Sequence, residues 1–284
     1  MAYNNFKPTI WSHHIQRELE KKCKLVADCW SQFEGEAKRG NKVKILGVSA
    51  IAVKDYNEAI TPDENGNLPG IGAPQVQDGS VVEMDIDQAK FFNFAIDDVD
   101  KAQSVPGLME TLMDEATHRM AVARDSYIAS LAAAQKEEGM FSANTAIKTA
   151  ANAKAAIDAA LLKLRENDVD LEDNVVIEIA PFVYQLLRDN LAEVKTNNDE
   201  LIRKGIVGMY DNCQVKMTNN LYTAEGVTYC MVRTKKAIAF ASQIDEVEAY
   251  RPEGFFSDAV KGLNVYGAKI VRPKELYVIK ATKA

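Results

Sequence analysis

Three histidines, at 13, 14 and 118, and four cysteines, at 23, 29, 213 and 230, are the residues of this 284-residue chain best suited to bind a metal or activate a nucleophile. His13 and His14 are adjacent at the start of a predicted helix, so they point about 100° apart and cannot both ligate one ion from it. His118 follows Asp114 by four residues in another predicted helix, a spacing that suits a helix-surface pair better than a general base. Asp97, Asp98 and Asp100 gather carboxylates ahead of that helix. Their loop lacks the glycine and the distal glutamate of an EF-hand, and acidic residues there already complement a helix dipole. The cysteines form no C-x-x-C pair; Cys23 and Cys29 fall on different sides of the predicted first helix, and all four read as reduced, part-buried thiols. Gly70-Ile-Gly72 begins like a phosphate loop, but Gln75 stands where the third glycine belongs and no helix is expected to follow. There is no G-x-S-x-G elbow and no Walker A loop. No catalytic residue, metal site or cofactor is therefore expected, and the chain does not read as an enzyme.

A different concentration of chemistry lies at the start. Tyr3, Phe6, Trp11 and Trp30 place both tryptophans within the first 30 residues. Phe6 and Trp11 flank Pro8 in a pre-helical arm, and large aromatics on an extended arm commonly anchor in a partner's pocket. From about His13 to Phe33 the residues Ile15, Leu19, Cys23, Val26, Trp30 and Phe33 form one helical apolar stripe, with Ser12 as its cap.

The remaining elements frame that arm. Val43 to Val53 and Ser80 to Ile86 read as strands, and between them Thr61 to Gly79 holds too many turn residues for a tight hairpin. A third strand, Lys90 to Ile96, precedes a helix that Pro106 opens and Gly139 stops. Its period runs from Leu108 to Ala134, and 106–138 would make a rod of ~48 Å. A helix bearing Ala153, Ile157, Leu161 and Leu164 follows the polar connector 142–149. Asn174 to Ile179 reads as a buried strand, and Pro181 starts a further helix. The rest is mostly extended: Gln214 to Thr218, Val227 to Arg233, Ala237 to Ala241, Val247 to Arg251, Tyr266 to Val271 and Leu276 to Lys280. Helices and strands are mixed rather than alternating, which argues for an α+β fold.

Composition fits this reading, with 47% hydrophobic and 26% charged residues and a net charge of −7. The span 1–44 is net basic, 45–138 is net acidic and the remainder balances. A basic arm ahead of an acidic body can act in trans between copies, although solvated helix faces of random sign would give the same pattern. No segment is apolar enough over sufficient length to span a bilayer, no secretory signal precedes residue 13, and no nucleic-acid-binding surface is evident.

Several segments, taken in order, are familiar. They are Pro8-Thr-Ile-Trp11-Ser with its helix, Phe33-Glu34-Gly35, Gly40-Asn41-Lys42-Val43, and Phe91-Phe-Asn-Phe-Ala-Ile-Asp97-Asp98-Val99-Asp100-Lys101-Ala102-Gln103. Asn174-Val-Val-Ile-Glu-Ile-Ala-Pro181, Gly205-Ile-Val-Gly208 with Cys213 to Asn220, and Val260-Lys-Gly262-Leu-Asn-Val-Tyr266-Gly267 complete the set. Across nearly the whole chain this order resembles the major capsid proteins of tailed bacteriophages, which share the Hong Kong 97-like shell fold.

The resemblance implies an N-terminal arm and helix over 1–40 and an extended loop over 41–90. It implies a peripheral domain of 91–144 and 252–284 built on a spine helix at 106–138, and an axial domain over 145–251. It implies that Phe6, Trp11, Ile15, Leu19, Trp30 and Phe33 of the arm contact other subunits. Lys54, Asp63, Asn65, Leu68 and Ile71 of the extended loop would do the same, and Gly205, Gly208 and Tyr210 would lie at an axial-domain loop. The implied function is a structural virion protein that assembles with itself as hexamers and pentamers into an icosahedral head around double-stranded DNA. DNA would be confined without specific binding, and no membrane is involved. Implied partners are a separate scaffolding protein, a portal and decoration proteins; the protein would be made in the host cytoplasm and reside in the virion. Some relatives cross-link a loop lysine, but Lys54 has no identifiable acceptor and no cross-link is expected. An encapsulin-type shell that carries enzymes would share the fold, and a gene neighbourhood of terminase and portal would separate the two. A soluble α+β enzyme would instead be a monomer or dimer with a small-molecule pocket.

Overall fold

Alternation of exposed Lys42 and Lys44 with buried Val43 and Ile45 makes Lys42–Gly47 a half-buried strand, β1. The computed structural model describes residues 23–32, 42–47, 80–97, 108–169, 175–187 and 206–283. Strand β1 pairs antiparallel with β2, Ser80–Asp85, in a register that runs from Lys42 opposite Asp85 to Gly47 opposite Ser80. One face of this ribbon buries Val43, Ile45 and Met84 with Ile86, Ala239 and Ala241. The other carries a ladder of Lys42 to Asp85 at 3.2 Å, Lys42 to Glu83 at 3.5 Å and Lys44 to Glu83 at 3.6 Å. Those pairs are exposed, so they help select the register more than they stabilise the fold.

After a bend at Ile86 the chain enters β3, Gln88–Asp97, an edge strand. The spine follows as helix α1, Leu108–Leu131, closed by a 3-10 turn at Ala132–Ala134. At 24 residues it spans ~36 Å. It ends before the expected 138 because Gln135 turns extended and its side chain is used elsewhere. Its amide donates to the carbonyls of Pro273 at 2.7 Å and Leu276 at 2.6 Å, while its carbonyl accepts from the backbone N–H of Lys136.

The second half builds a seven-stranded sheet. Its members are β4 (Thr145–Ile147), β5 (Val175–Ile179), β6 (Ile206–Tyr210), β7 (Cys213–Met217), β8 (Thr223–Ala224), β9 (Val227–Thr234) and a C-terminal strand Leu276–Lys283. Helices α2, Ala150–Glu166, and α3, Pro181–Leu187, accompany it. Thr149 caps α2 by accepting from the N–H of Asn152, as its position before the alanine run allows. Two hairpins carry two-residue turns with positive φ at both positions, Asp211-Asn212 and Glu225-Gly226, the twist that antiparallel partners prefer.

Two long strands, β10 (Ile238–Tyr250) and β11 (Ser257–Ile270), with β3 form a three-stranded sheet in the order β10-β11-β3. The two strands expected at 237–241 and 247–251 are therefore one, continued through an irregularity between Ser242 and Ile244. Strand β11 begins nine residues before the expected Tyr266, because its small and polar residues conceal its inward face of Val260, Gly262, Asn264 and Tyr266. The C-terminal strand, β12, pairs antiparallel with β9 and in parallel with β4. Sheet membership thus divides the chain differently from the expected limits of 145–251 and 252–284. Residues 238–250 share a sheet with 88–97 and 257–270, and 276–283 lie in the sheet built mainly from the 145–251 segment.

The main core lies between α2, α3 and the seven-stranded sheet, with Leu25, Cys29 and Ile128 reaching into it. Beside it, Arg124 of the spine lies over the rings of Phe240 and Tyr266 and donates to Asn264 at 2.9 Å.

Candidate functional site

The expected helix from His13 to Phe33 does not extend through its described end. Residues 26–28 form a 3-10 turn and Trp30 makes a parallel bridge to Ala239. Tertiary partners override the apolar period here, because the backbone of this segment is gripped by buried charges. Asp125 of the spine, fully buried, accepts from the N–H groups of Lys24 at 2.9 Å, Leu25 at 3.0 Å and Val26 at 3.3 Å. Asn220 donates to the same carboxylate at 3.4 Å. Arg233 of β9 donates to the carbonyls of Asp28 at 2.6 Å and Leu25 at 3.0 Å. The same guanidinium makes a bidentate pair with Glu178 of β5 at 2.7 and 3.0 Å, both side chains being wholly buried. Lys216 of β7 pairs with the carboxylate of Asp28, again inside the protein.

Two ion pairs balance within this group, Glu178 with Arg233 and Asp28 with Lys216, which leaves one carboxyl group, that of Asp125, without a cation. Asp125 has no basic side chain among its hydrogen-bond partners and is served by backbone N–H groups. Burial pushes the carboxyls of both Asp125 and Glu178 above the usual range; the N–H groups pull the first back and Arg233 the second. Sequence reasoning missed these residues. The available signal was a lone charge inside an apolar strand, Glu178 in Val-Val-Ile-Glu-Ile and Arg233 in Cys-Met-Val-Arg-Thr, since such a charge must find a partner when buried.

The expected contact residues fall mostly outside the described residues: Phe6, Trp11, Ile15, Leu19, Phe33, Lys54, Asp63, Asn65, Leu68, Ile71 and Gly205. Trp30 is half-buried within its own chain. Its ring packs on the cluster under the β1–β2 ribbon and lies beneath Arg272 at 5.8 Å, and its indole N–H donates to Gln32 at 2.8 Å. Gly208 is buried in β6, and Tyr210 ends that strand with its hydroxyl donating to Asp158 of α2. Beside it Arg165 of α2 pairs with Asp211 of the turn, so α2 holds this hairpin at two points.

Among the described residues the candidates for chemistry lie apart from one another. His118 lies exposed on the spine, Asp97 is exposed at the end of β3, and His13, His14, Asp98, Asp100, Gly70 and Gly72 lie outside the described residues. All four cysteines are buried and none forms a disulfide. Among the described residues no group of three His, Cys, Asp or Glu side chains could hold a metal ion, and no helix is long and apolar enough to cross a membrane.

What the surface does offer is apolar. Phe255 and Phe256, at the tip joining β10 to β11, are 74% and 82% exposed. Phe91, on the outer face of the three-stranded sheet opposite Leu263, is 78% exposed. Exposed aromatic side chains of this size are a common feature of surfaces that other molecules cover.

No family model and no curated protein matches the chain. Solved structures do. A chain from Mycobacterium phage Che8 is 26% identical with a TM-score of 0.70, each chain covered over 90%. The capsid of Ralstonia phage GP4 gives a TM-score of 0.69 at 12% identity, covering 93% of this chain and 92% of that one. The capsid of cyanophage P-SCSP1u gives 0.65 at 14% identity over 87% and 85%. The α+β architecture is thus the fold of these phage capsid chains, and over about nine-tenths of its length the chain is also similar in sequence, at 26% identity, to the Che8 chain.

Proposed function

We infer that the chain is the structural subunit of a phage head shell, acting by assembly with copies of itself rather than by turnover. The observation that carries this is the likeness to phage capsid chains over about nine-tenths of both partners. The geometry supports it: a ribbon at β1–β2, a long spine helix and a three-stranded sheet edged with exposed aromatics. In this reading hexamers and pentamers close an icosahedral head around double-stranded DNA. A separate scaffolding protein guides closure, and a portal and decoration proteins join the shell. The extended loop reaches a neighbour, and the hairpin bearing Gly208 and Tyr210 lies toward the capsomer centre. Net acidic charge suits a wall that confines DNA without gripping it.

The test is light scattering with negative-stain microscopy on the purified chain, alone and with scaffold candidates. Closed shells, rings of five or six, or sheets are expected. A monomer that persists at high concentration under every condition would overturn the reading.

A further inference from the structure

Residues 23–30 touch three parts of the molecule at once. Asp125 ties them to the spine, Arg233 and Lys216 tie them to β9 and β7, and Trp30 bridges to Ala239 of β10. Backbone hydrogen bonds complete the last link, from the N–H of Trp30 to Ile238 at 2.9 Å and from the N–H of Phe240 to Trp30 at 3.0 Å. The grip is unusual in kind. Five of the contacts are made to main-chain N–H and carbonyl groups of Lys24, Leu25, Val26 and Asp28, and only one strap side-chain charge, that of Asp28, enters the cluster.

We propose that Cys23–Trp30 is a releasable strap that locks the spine helix to the seven-stranded sheet, with the Asp28–Lys216 pair as its catch. On departure Leu25 and Cys29 would leave an apolar cavity in the main core, as any packed segment does. This one would also leave Lys216, 3% exposed, without Asp28, and Asp125 without three N–H donors, while Arg233 would keep Glu178. Such groups tolerate two states, paired under the strap or hydrated without it, and little in between. The chain ahead of residue 23 is covalently continuous with this element, so a displacement there would act on the spine through the strap. The consequence for shells rests on the head-subunit reading, but the strap itself is a property of the single subunit.

The experiment is amide exchange by mass spectrometry on the full-length chain, comparing wild type, Asp28→Asn and Asp28→Asn/Lys216→Met. Both variants are expected to speed exchange at 24–30 by about tenfold or more, on the scale of losing a charge-assisted hydrogen bond. Amides of 108–131 should quicken with them, while β5 and β9 keep wild-type protection. The double variant removes the stranded Lys216 charge, so it separates strap release from a subunit that merely fails to fold. Unchanged exchange at 24–30, a uniform rise over both sheets in the double variant, or strap exchange that rises while the spine stays protected would each overturn the proposal. None of these readouts depends on shells, so failure of the assembly reading would be seen separately, as a subunit with a working strap that remains monomeric.

Discussion

Arg233 and Glu178 are diagonal neighbours on antiparallel strands: Val176 is the direct partner of Arg233, yet its guanidinium reaches two residues along to form a bidentate pair with Glu178. Neither side chain has any exposure, and two further N–H groups of Arg233 donate to the carbonyls of Leu25 and Asp28. Arg233→Met should therefore lose about 3–5 kcal/mol, because it strands a buried carboxylate. Glu178→Leu/Arg233→Met should recover part of that loss but not all, since two carbonyls still lack their donor at about 1–3 kcal/mol each. Urea denaturation of the three proteins checks the order; an Arg233→Met protein as stable as wild type would contradict the pairing.

Two glycines of β11 allow close approach for different reasons. Phe92 covers Gly262, its direct partner in β3, so that a β-carbon there would overlap the ring. A β-carbon on Gly267 would instead meet the carbonyl oxygen of Asp85, which is backbone at the β2–β3 bend. A ring can turn away and a backbone bend cannot. Gly262→Ala should lower stability by about 1–3 kcal/mol and be largely rescued by Phe92→Leu. Gly267→Ala should be worse and should not respond to that second change. Thermal melting of the two single variants and of Gly262→Ala/Phe92→Leu decides it.

The same residues explain what the sequence could and could not reveal. The β-branched and small apolar run from Val43 and the alternation in Ser80 to Ile86 marked the strands of the ribbon, and the 3.6 period marked the spine. The end of the first expected helix was misread because its apolar spacing is real while its backbone groups are claimed by Asp125 and Arg233, about 100 and 200 positions away. Strand β11 was read short for a related reason. Gly262 and Asn264 look like turn residues until Phe92 and Arg124 are seen to occupy the space beside them. Of the expected contact residues, Phe6 and Trp11 are suggested by their place on an arm and the others only by resemblance, since what a surface side chain touches in an assembly leaves no periodic mark on its own chain.

Burial holds the thiols of Cys29 and Cys230 far from ionisation, lifting both from 9.0 to about 12, and lifts Tyr266 from 10.0 to about 12. A group whose pKa is raised by folding contributes stability that is full below its unfolded value and is lost as pH climbs through the folded one. Melting temperature should therefore hold up to about pH 9 and fall steadily above it, as the unfolded chain gains from ionising these groups. A thiol reagent at pH 8 should find no reactive cysteine in the native subunit and four after denaturation. Rapid labelling of Cys29 or Cys230 in the native protein, or a melting temperature flat to pH 11, would count against this burial.

The ribbon gives the sharpest separation of folding from assembly. Gly47 and Ser80 stand opposite each other in the β1–β2 register, so replacing residues 48–79 with Asn-Gly closes the same two strands through a tight two-residue turn. Val43, Ile45, Met84 and Ile86 keep their cover against Ala239 and Ala241, and the exposed ion pairs of Lys42 and Lys44 remain. The shortened subunit should melt within about 1 kcal/mol of the full chain, because closing a shorter loop changes only a modest entropy. It should nonetheless form no closed shells under conditions where the full chain does, because the segment proposed to reach the neighbouring subunit is gone. Circular dichroism with negative-stain microscopy reads both outcomes. Intact shells from the shortened chain would remove the extended loop from the assembly mechanism, while loss of the fold would mean that the ribbon depends on its own tip.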